Sequence, residues 1–149
     1  MTKNWEIRKA VSKDADGLEL CMHSAYEGYR KRMGGKQLPP QFVDYVEEIN
    51  NFPTWVAVHN KTIVGGLTMM FEPSYTTLAN IAVSPSFQGQ GLGRGLLEFA
   101  ESIAKQESYS ELRLATHILL TENVALYSHF GWIEYNRDET KVYMKKKLN

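Results

Sequence analysis

The strongest constraint on this chain is the segment Gln88-Gly89-Gln90-Gly91-Leu92-Gly93-Arg94-Gly95, where four glycines alternate with larger residues. Every second side chain is missing, so backbone N–H groups on that side of the turn can approach a ligand closely. Upstream, residues 77–83 are rich in β-branched and apolar side chains and stop at Ser84-Pro85, which predicts a strand. Downstream, Leu92, Leu96, Phe99, Ala100 and Ile103 recur at helical spacing, and residues 111–116 return as a strand. A strand, loop, helix and strand in that order predict a parallel crossover, and hence a sheet with helical cover. The first N–H groups of the helix have no internal partners and sit at the positive end of its dipole, a site for phosphate or pyrophosphate. Arg94 adds a positive charge.

The residues separate the phosphate loops that share this layout. A Walker loop needs Gly-Lys-Ser/Thr, which is absent. A dinucleotide fingerprint needs Gly-x-Gly-x-x-Gly, but Arg94 stands three residues after Gly91 and Leu96 three after Gly93. The bland alternative is a tight turn without a ligand.

Around this unit the chain reads as one mixed α/β domain, residues 1–149, with a mostly antiparallel sheet of about seven strands, flanking helices and one parallel crossover. Residues 5–10 read as a first strand. Ser12 is placed to cap a helix carrying Leu18, Cys21, Met22, Ala25 and Tyr29 on one face. A second helix is expected to start at Pro39-Pro40 with Phe42, Tyr45, Val46 and Ile49 inward, after a glycine-containing loop at 33–38. Residues 54–59 and 62–71 form a hairpin around Asn60-Lys61. Residues 122–130 form a short helix closed by Gly131, and 132–137 pairs with 141–147 around Asp138-Glu139.

Seventeen Lys and Arg balance seventeen Asp and Glu, so no global field draws the protein to nucleic acid or to an anionic membrane. No run approaches the ~20 apolar residues of a spanning helix, and the first residues lack a signal-peptide stretch, which predicts a cytoplasmic protein. The single Cys21 has no disulfide partner and reads as a small buried hydrophobe. His23, His59 and His129 show no ligand spacing, so no metal is expected. Lys145-Lys146-Lys147 reads as a solvated tail.

Gln88, Gly91 and Gly93 complete the pattern Gln-x-x-Gly-x-Gly, and here the chain resembles the GNAT superfamily of acyl-CoA-dependent N-acetyltransferases. Asn80-Ile81-Ala82-Val83-Ser84-Pro85 resembles the family strand that precedes the motif. Asn123-Val124-Ala125-Leu126-Tyr127 with Phe130-Gly131-Trp132 resembles the family segment Asn-x-x-Ala/Leu-Tyr ending in Gly-Phe, with Trp132 in place of the usual Phe. The resemblance implies that acetyl-CoA or coenzyme A binds at Gln88, Gly89, Gln90, Gly91, Leu92, Gly93 and Arg94. It also implies an arm along Ile81, Ala82 and Val83, with Asn123 and Tyr127 alongside. Tyr26-x-x-Tyr29-x-x-Arg32-x-Gly34 resembles small bacterial members. Tyr26, Tyr29, Arg30 and Arg32 would then line the acceptor cleft, a solvated basic helix end being the bland reading.

Acetyl transfer to an amine requires a neutral nucleophile, a polarised carbonyl and a proton for the leaving thiolate. By the resemblance, Tyr127 is the acid and a backbone N–H near Val83 polarises the carbonyl. No Gly-x-Ser-x-Gly elbow occurs, consistent with direct transfer. Glu72 and His117 are the titratable candidates for the base, each with an equal claim to a surface or capping role. The expected protein is a monomeric or homodimeric acetyltransferase acting on a small-molecule or peptide amine. The rival is a coenzyme-A-binding regulator or pseudoenzyme without turnover. Acyl length stays open, as does the choice among polyamine, amino acid, aminoglycoside, protein N-terminus and lysine.

Overall fold

In the computed structural model, residues 4–41 and 43–149 are described. Seven strands, β1 (Glu6–Lys9), β2 (Thr54–His59), β3 (Thr62–Phe71), β4 (Thr76–Val83), β5 (Glu111–His117), β6 (Ile133–Arg137) and β7 (Lys141–Lys147), form one sheet in the order β1-β2-β3-β4-β5-β7-β6. All neighbours are antiparallel except β4 and β5. Four helices flank it: α1 (Ala15–Glu27), α2 (Tyr45–Asn51), α3 (Leu92–Gln106) and α4 (Thr121–His129).

Strand β3 shows why helices cover both faces of this half. Its central residues are continuously buried, and its two glycines are where helices press closest. A Cβ on Gly66 would collide with Leu18 in α1, and one on Gly65 would come within 3.1 Å of Leu92 in α3. One core joins Leu92, Leu96 and Ala100 of α3 to Leu112, Leu114, Val142 and Met144 of β5 and β7. The opposite core joins Leu18 and Met22 of α1 and Tyr45 of α2 to Val56 and Ala82. Leu96 is fully buried, so Leu96→Ala would cost about 2–5 kcal/mol.

The expected hairpin at Asn60-Lys61 is present, with φ of 48° and 67° at its two central residues, the mirror-image turn that matches strand twist. Two helix starts differ from expectation. Ser12 opens a short 3₁₀ turn instead of capping α1, and its hydroxyl bonds Asn50. Asp14 takes the Val11 N–H at 2.8 Å while Arg8 grips both carboxylate oxygens, which holds the Asp14 pKa below its usual range. Pro39–Gln41 likewise forms only a 3₁₀ turn. Helix α2 begins after Asp44, whose side chain accepts the N–H groups of Val46 and Glu47. Tyr45 points inward but Val46 is exposed, and Phe42 lies outside the described residues.

The site is prepared by how β4 and β5 pair. Their register holds only at Thr76↔Leu112, Thr77↔Arg113 and Leu78↔Leu114. Beyond Leu78 the strands have no mutual pairing, and at that point β4 carries a bulge, Ala79 standing unpaired as Thr68↔Asn80 gives way to Met69↔Leu78. β5 stays paired with β7 along its whole length, so the sheet opens as a wedge between β4 and β5.

Candidate active site

A cavity of about 450 Å³ occupies the wedge. Its floor is Ile81, Ala82 and Val83, one wall comes from the end of α1 and the other from α4, and residues 88–94 form its mouth. Ser84 N–H bonds Val64 O across the β3–β4 register, so strand alternation turns the N–H groups of Ile81 and Val83 away from β3 and toward the opening. The two carbonyls on that edge already receive donors. Tyr26 Oη donates to Ile81 O at 2.9 Å, and Gln88 Nε2 reaches Val83 O at 3.4 Å. The opened strand therefore presents free donors to a ligand, with its acceptors partly satisfied.

The glycines of the loop divide by function. Gly91, at φ 85°, is the N-cap of α3, and no side chain caps the helix, so the first-turn N–H groups of Leu92, Gly93 and Arg94 are left for an anion. Gly93 has an ordinary helical φ, and an added Cβ would meet nothing nearer than Val83 at 3.9 Å, yet it lines the cavity. Nothing in the fold itself requires a glycine there. Gly95 is different, since its Cβ would meet Trp5 at 3.3 Å, a packing constraint. Arg94 lines the mouth beside the first turn of α3, its guanidinium 3.1 Å from Glu98 and 5.8 Å from the Phe130 ring.

Tyr127 comes from α4, which Gly131 closes at φ 94°. Its ring is 8% exposed and packs 6.0 Å from Trp132, and it lines the cavity. Burial pushes its pKa up to about 12, with nearby Tyr29 adding to the shift, so the phenol keeps its proton at neutral pH. Tyr26 and Tyr29 line the facing wall and pack edge to face at 6.0 Å. Burial raises the Tyr26 pKa further still.

Of the residues expected at the site, Tyr26, Tyr29, Ile81, Ala82, Val83, Gln88, Gly89, Gly91, Gly93, Arg94, Asn123 and Tyr127 share this one cavity. Leu92 contributes backbone only, its side chain being core, and Gln90 is exposed on the loop. Arg30 is turned outward to Glu27 and to Gly35 O. Arg32 does not reach the lining; it forms a two-pronged ion pair with Glu122 at 2.6 and 2.7 Å, tying the segment after α1 to the start of α4. Glu72 is separated from the cleft, because it sits at the Phe71↔Thr76 end of the β3–β4 hairpin whereas Val83 pairs with Gly65 at the other. Seven residues of strand put about 20 Å between them. Its backbone closes the turn, with N–H to Tyr75 O and C=O from Tyr109 Oη. His117 ends β5, where Nδ1 accepts the Leu119 N–H, a turn-capping contact outside the cavity. Sequence reasoning missed Glu122, Phe87, Leu126 and Phe130 as lining residues. Leu126 and Phe130 stand inside the quoted motif and Glu122 directly before it, which is the signal that could have found them.

The chain matches the acetyltransferase (GNAT) family model over residues 21–132, and it belongs to that family. No curated protein sequence matches it. Its fold is similar to that of the PaiA N-acetyltransferase from Thermoplasma acidophilum in complex with coenzyme A, with a TM-score of 0.82 at 19% identity over 98% of this chain and 100% of that one. The ribosomal-protein-S18-alanine N-acetyltransferase from Escherichia coli gives 0.80 at 18% identity over 97% and 94% of the two chains. A GNAT family acetyltransferase from Elizabethkingia anophelis with acetyl-CoA bound gives 0.71 at 18% over 99% and 100%.

Proposed function

We propose that the protein transfers the acetyl group of acetyl-CoA directly to an amine. The observation that carries this reading is the convergence, in one cavity, of uncapped α3 N–H groups, the donor edge of β4 and a protonated Tyr127. The site fits coenzyme A: a pyrophosphate suits the α3 terminus beside Arg94, and Gly93 leaves room where a side chain would otherwise stand. When bound, acetyl-CoA supplies the activated acyl thioester. Among the chain's own groups, the Val83 N–H polarises the acyl oxygen, Tyr127 donates the proton needed by the departing sulfur, and Ile81 and Asn123 orient the arm. The phobic walls exclude water from the reacting atoms.

Among the described residues, no helix is long and apolar enough to cross a membrane. We place the enzyme in the reducing cytoplasm, where buried Cys21, its pKa pushed up to about 11 by burial, stays an inert thiol. The test is a melting curve in acetyl-CoA followed by thiol release on an amine panel. A hundredfold excess over the dissociation constant should stabilise the fold by about 2.7 kcal/mol. An unchanged melting temperature in millimolar acetyl-CoA would overturn the assignment, and binding without turnover on any amine would favour the regulator.

A further inference from the structure

The sheet face beneath α1 and α2 carries a polar line across three of its strands. Thr54, Thr68 and Asn80 are cross-strand neighbours on β2, β3 and β4 and form a polar rung across the strands. Thr54 and Thr68 are each 1% exposed, at positions where valine would fill the same volume without a hydroxyl. Burying such groups costs free energy unless each finds a partner, and here each does. Thr54 Oγ1 donates to Phe52 O at 3.0 Å and lies 3.3 Å from Thr68 Oγ1. Thr68 Oγ1 donates to Glu48 Oε2 at 3.0 Å, and Asn80 Nδ2 stands 3.0 Å from both Glu48 oxygens. The rung ends on a half-buried carboxylate of α2. Glu122 and Asp14 are neutralised by arginines, whereas the partners of Glu48 among the described residues are these neutral donors.

The position of this carboxylate matters more than its charge. Asn80 follows the bulge at Ala79, where β4 and β5 part, and precedes Ile81 of the cavity floor. Side chains alternate along β4: Ile81 and Val83 pack with the α3 core, and Ala82 packs with the α1 and α2 core. Asn80 shares the face of Ala82, so the apex of the wedge has the glycine loop on one side of the sheet and Glu48 on the other.

We propose that Glu48 is the acceptor-binding carboxylate, pairing with the ammonium form of the incoming amine and taking its proton; the inference rests on the acetyl-transfer reading. The class of acceptor follows: an aliphatic primary amine, cationic at neutral pH, in preference to an arylamine. An N–H bond of the ammonium breaks and an O–H bond forms on Glu48, which frees the nitrogen lone pair. The new C–N bond forms as the C–S bond breaks, and the sulfur takes the Tyr127 proton. The nitrogen, positively charged once the C–N bond has formed, loses its second N–H proton to the Tyr127 phenolate, and Glu48 gives its proton to solvent, leaving amide, free thiol and one released proton.

The test needs no knowledge of the natural acceptor. S-(2-aminoethyl)- and S-(3-aminopropyl)-coenzyme A carry an ammonium beyond the sulfur, and S-propyl- and S-butyl-coenzyme A are their uncharged isosteres. By calorimetry, the wild-type protein should bind at least one ammonium probe about tenfold more tightly than its isostere, in line with charge-assisted hydrogen bonding. Glu48→Gln should erase that preference while leaving coenzyme A affinity unchanged, with a lower melting temperature because Thr68 and Asn80 lose a charged acceptor, and Glu48→Asp should retain part of it. No preference in the wild type, or one that survives in Glu48→Gln, overturns the proposal. Failure of coenzyme A itself to bind is a separate result, and it removes the acetyl-transfer reading beneath.

Discussion

The two halves of the sheet on either side of the wedge are built differently. Strands β2 to β4 are covered on both faces, by α1 and α2 above and α3 below, with β1 as a mostly exposed edge. Strands β5 and β7 share the lower core but leave their other face to Arg113, Tyr143 and Lys145 beside Tyr135 of β6, which are half-buried or exposed, and every residue of β6 is exposed. There Arg113 lies 3.9 Å from the Tyr75 ring and 5.2 Å from that of Tyr135, a cation–π arrangement in place of a second core. The doubly covered half carries the glycine loop and the donor edge. The singly covered half leads into α4 and presents Tyr127. On the proposed acetyl-transfer reading, one half holds the ligand and the other brings Tyr127 to it.

That division is broken most severely by Tyr127→Phe, which keeps the ring against Trp132 and removes one hydroxyl. Turnover should fall by about a hundredfold or more with coenzyme affinity unchanged, since general acid catalysis is worth 10²–10⁴. A loss below about fivefold would reduce Tyr127 to packing. With the Tyr127 pKa near 12, the ratio of wild-type to variant rates should stay constant from about pH 7 to 10. The sign for stability follows: the fold favours the neutral phenol, so this contribution is present below about pH 10 and is lost as pH rises from there toward 12.

On the holding half, Gly93→Val should weaken coenzyme A binding by about tenfold or more without reducing turnover at saturation in proportion. Gly93→Ala separates ligand from fold more cleanly. The methyl has room and the φ is ordinary, so the free protein should gain up to about 1 kcal/mol from helix propensity while the coenzyme is bound more weakly. Opposite signs in the melting temperatures with and without coenzyme would establish that this glycine serves the ligand. Equal signs would place the effect in the fold.

The smallest expected effect comes from the Arg32–Glu122 tie between the walls. Both side chains are nearly half exposed and screened by solvent, so Arg32→Lys should lower the melting temperature only slightly, with the difference shrinking in salt. A change in Tyr127-dependent turnover larger than this stability loss would show that the tie also sets the spacing of the two halves.

Most of this architecture was legible because it is locally encoded. The periodicity of Leu92, Leu96 and Ala100, the Asn60-Lys61 turn and the Gly131 stop each act within a few residues, and each strand stands within two residues of its expected bounds. Misreadings arose where a local signal had two meanings. The prolines at 39 and 40 suit a helical first turn and equally a 3₁₀ turn, and Asp44 decided between them by supplying the cap. Ser12 lost to Asp14 because Arg8, on a different element, pins that carboxylate. The pairings that stayed hidden are non-local. Arg32 and Glu122 meet across the wedge, and Glu48 reaches Thr68 and Asn80 across two strands, pairings that no single stretch of sequence announces. Glu72 is a candidate that the fold carries away from the cleft, because strand periodicity gives the face of a residue but not which end of the sheet opens.

The three-residue joint between β4 and β5 also bears on the order in which the chain assembles. Every antiparallel neighbour of β3 and the β6–β7 pair closes over short turns, whereas β4 meets β5 only after the whole α3 crossover has condensed. Non-local parallel pairing incurs its loop-closure entropy before contacts compensate, so it belongs late in folding. Pulse-labelled amide exchange during refolding should therefore protect the β4-facing amides of residues 112–114 after those of the β2–β3 hairpin; simultaneous protection would refute this order. A cleft completed at the last step makes coenzyme binding a reporter of finished chains, one that passes over partly folded molecules in which every helix is already present.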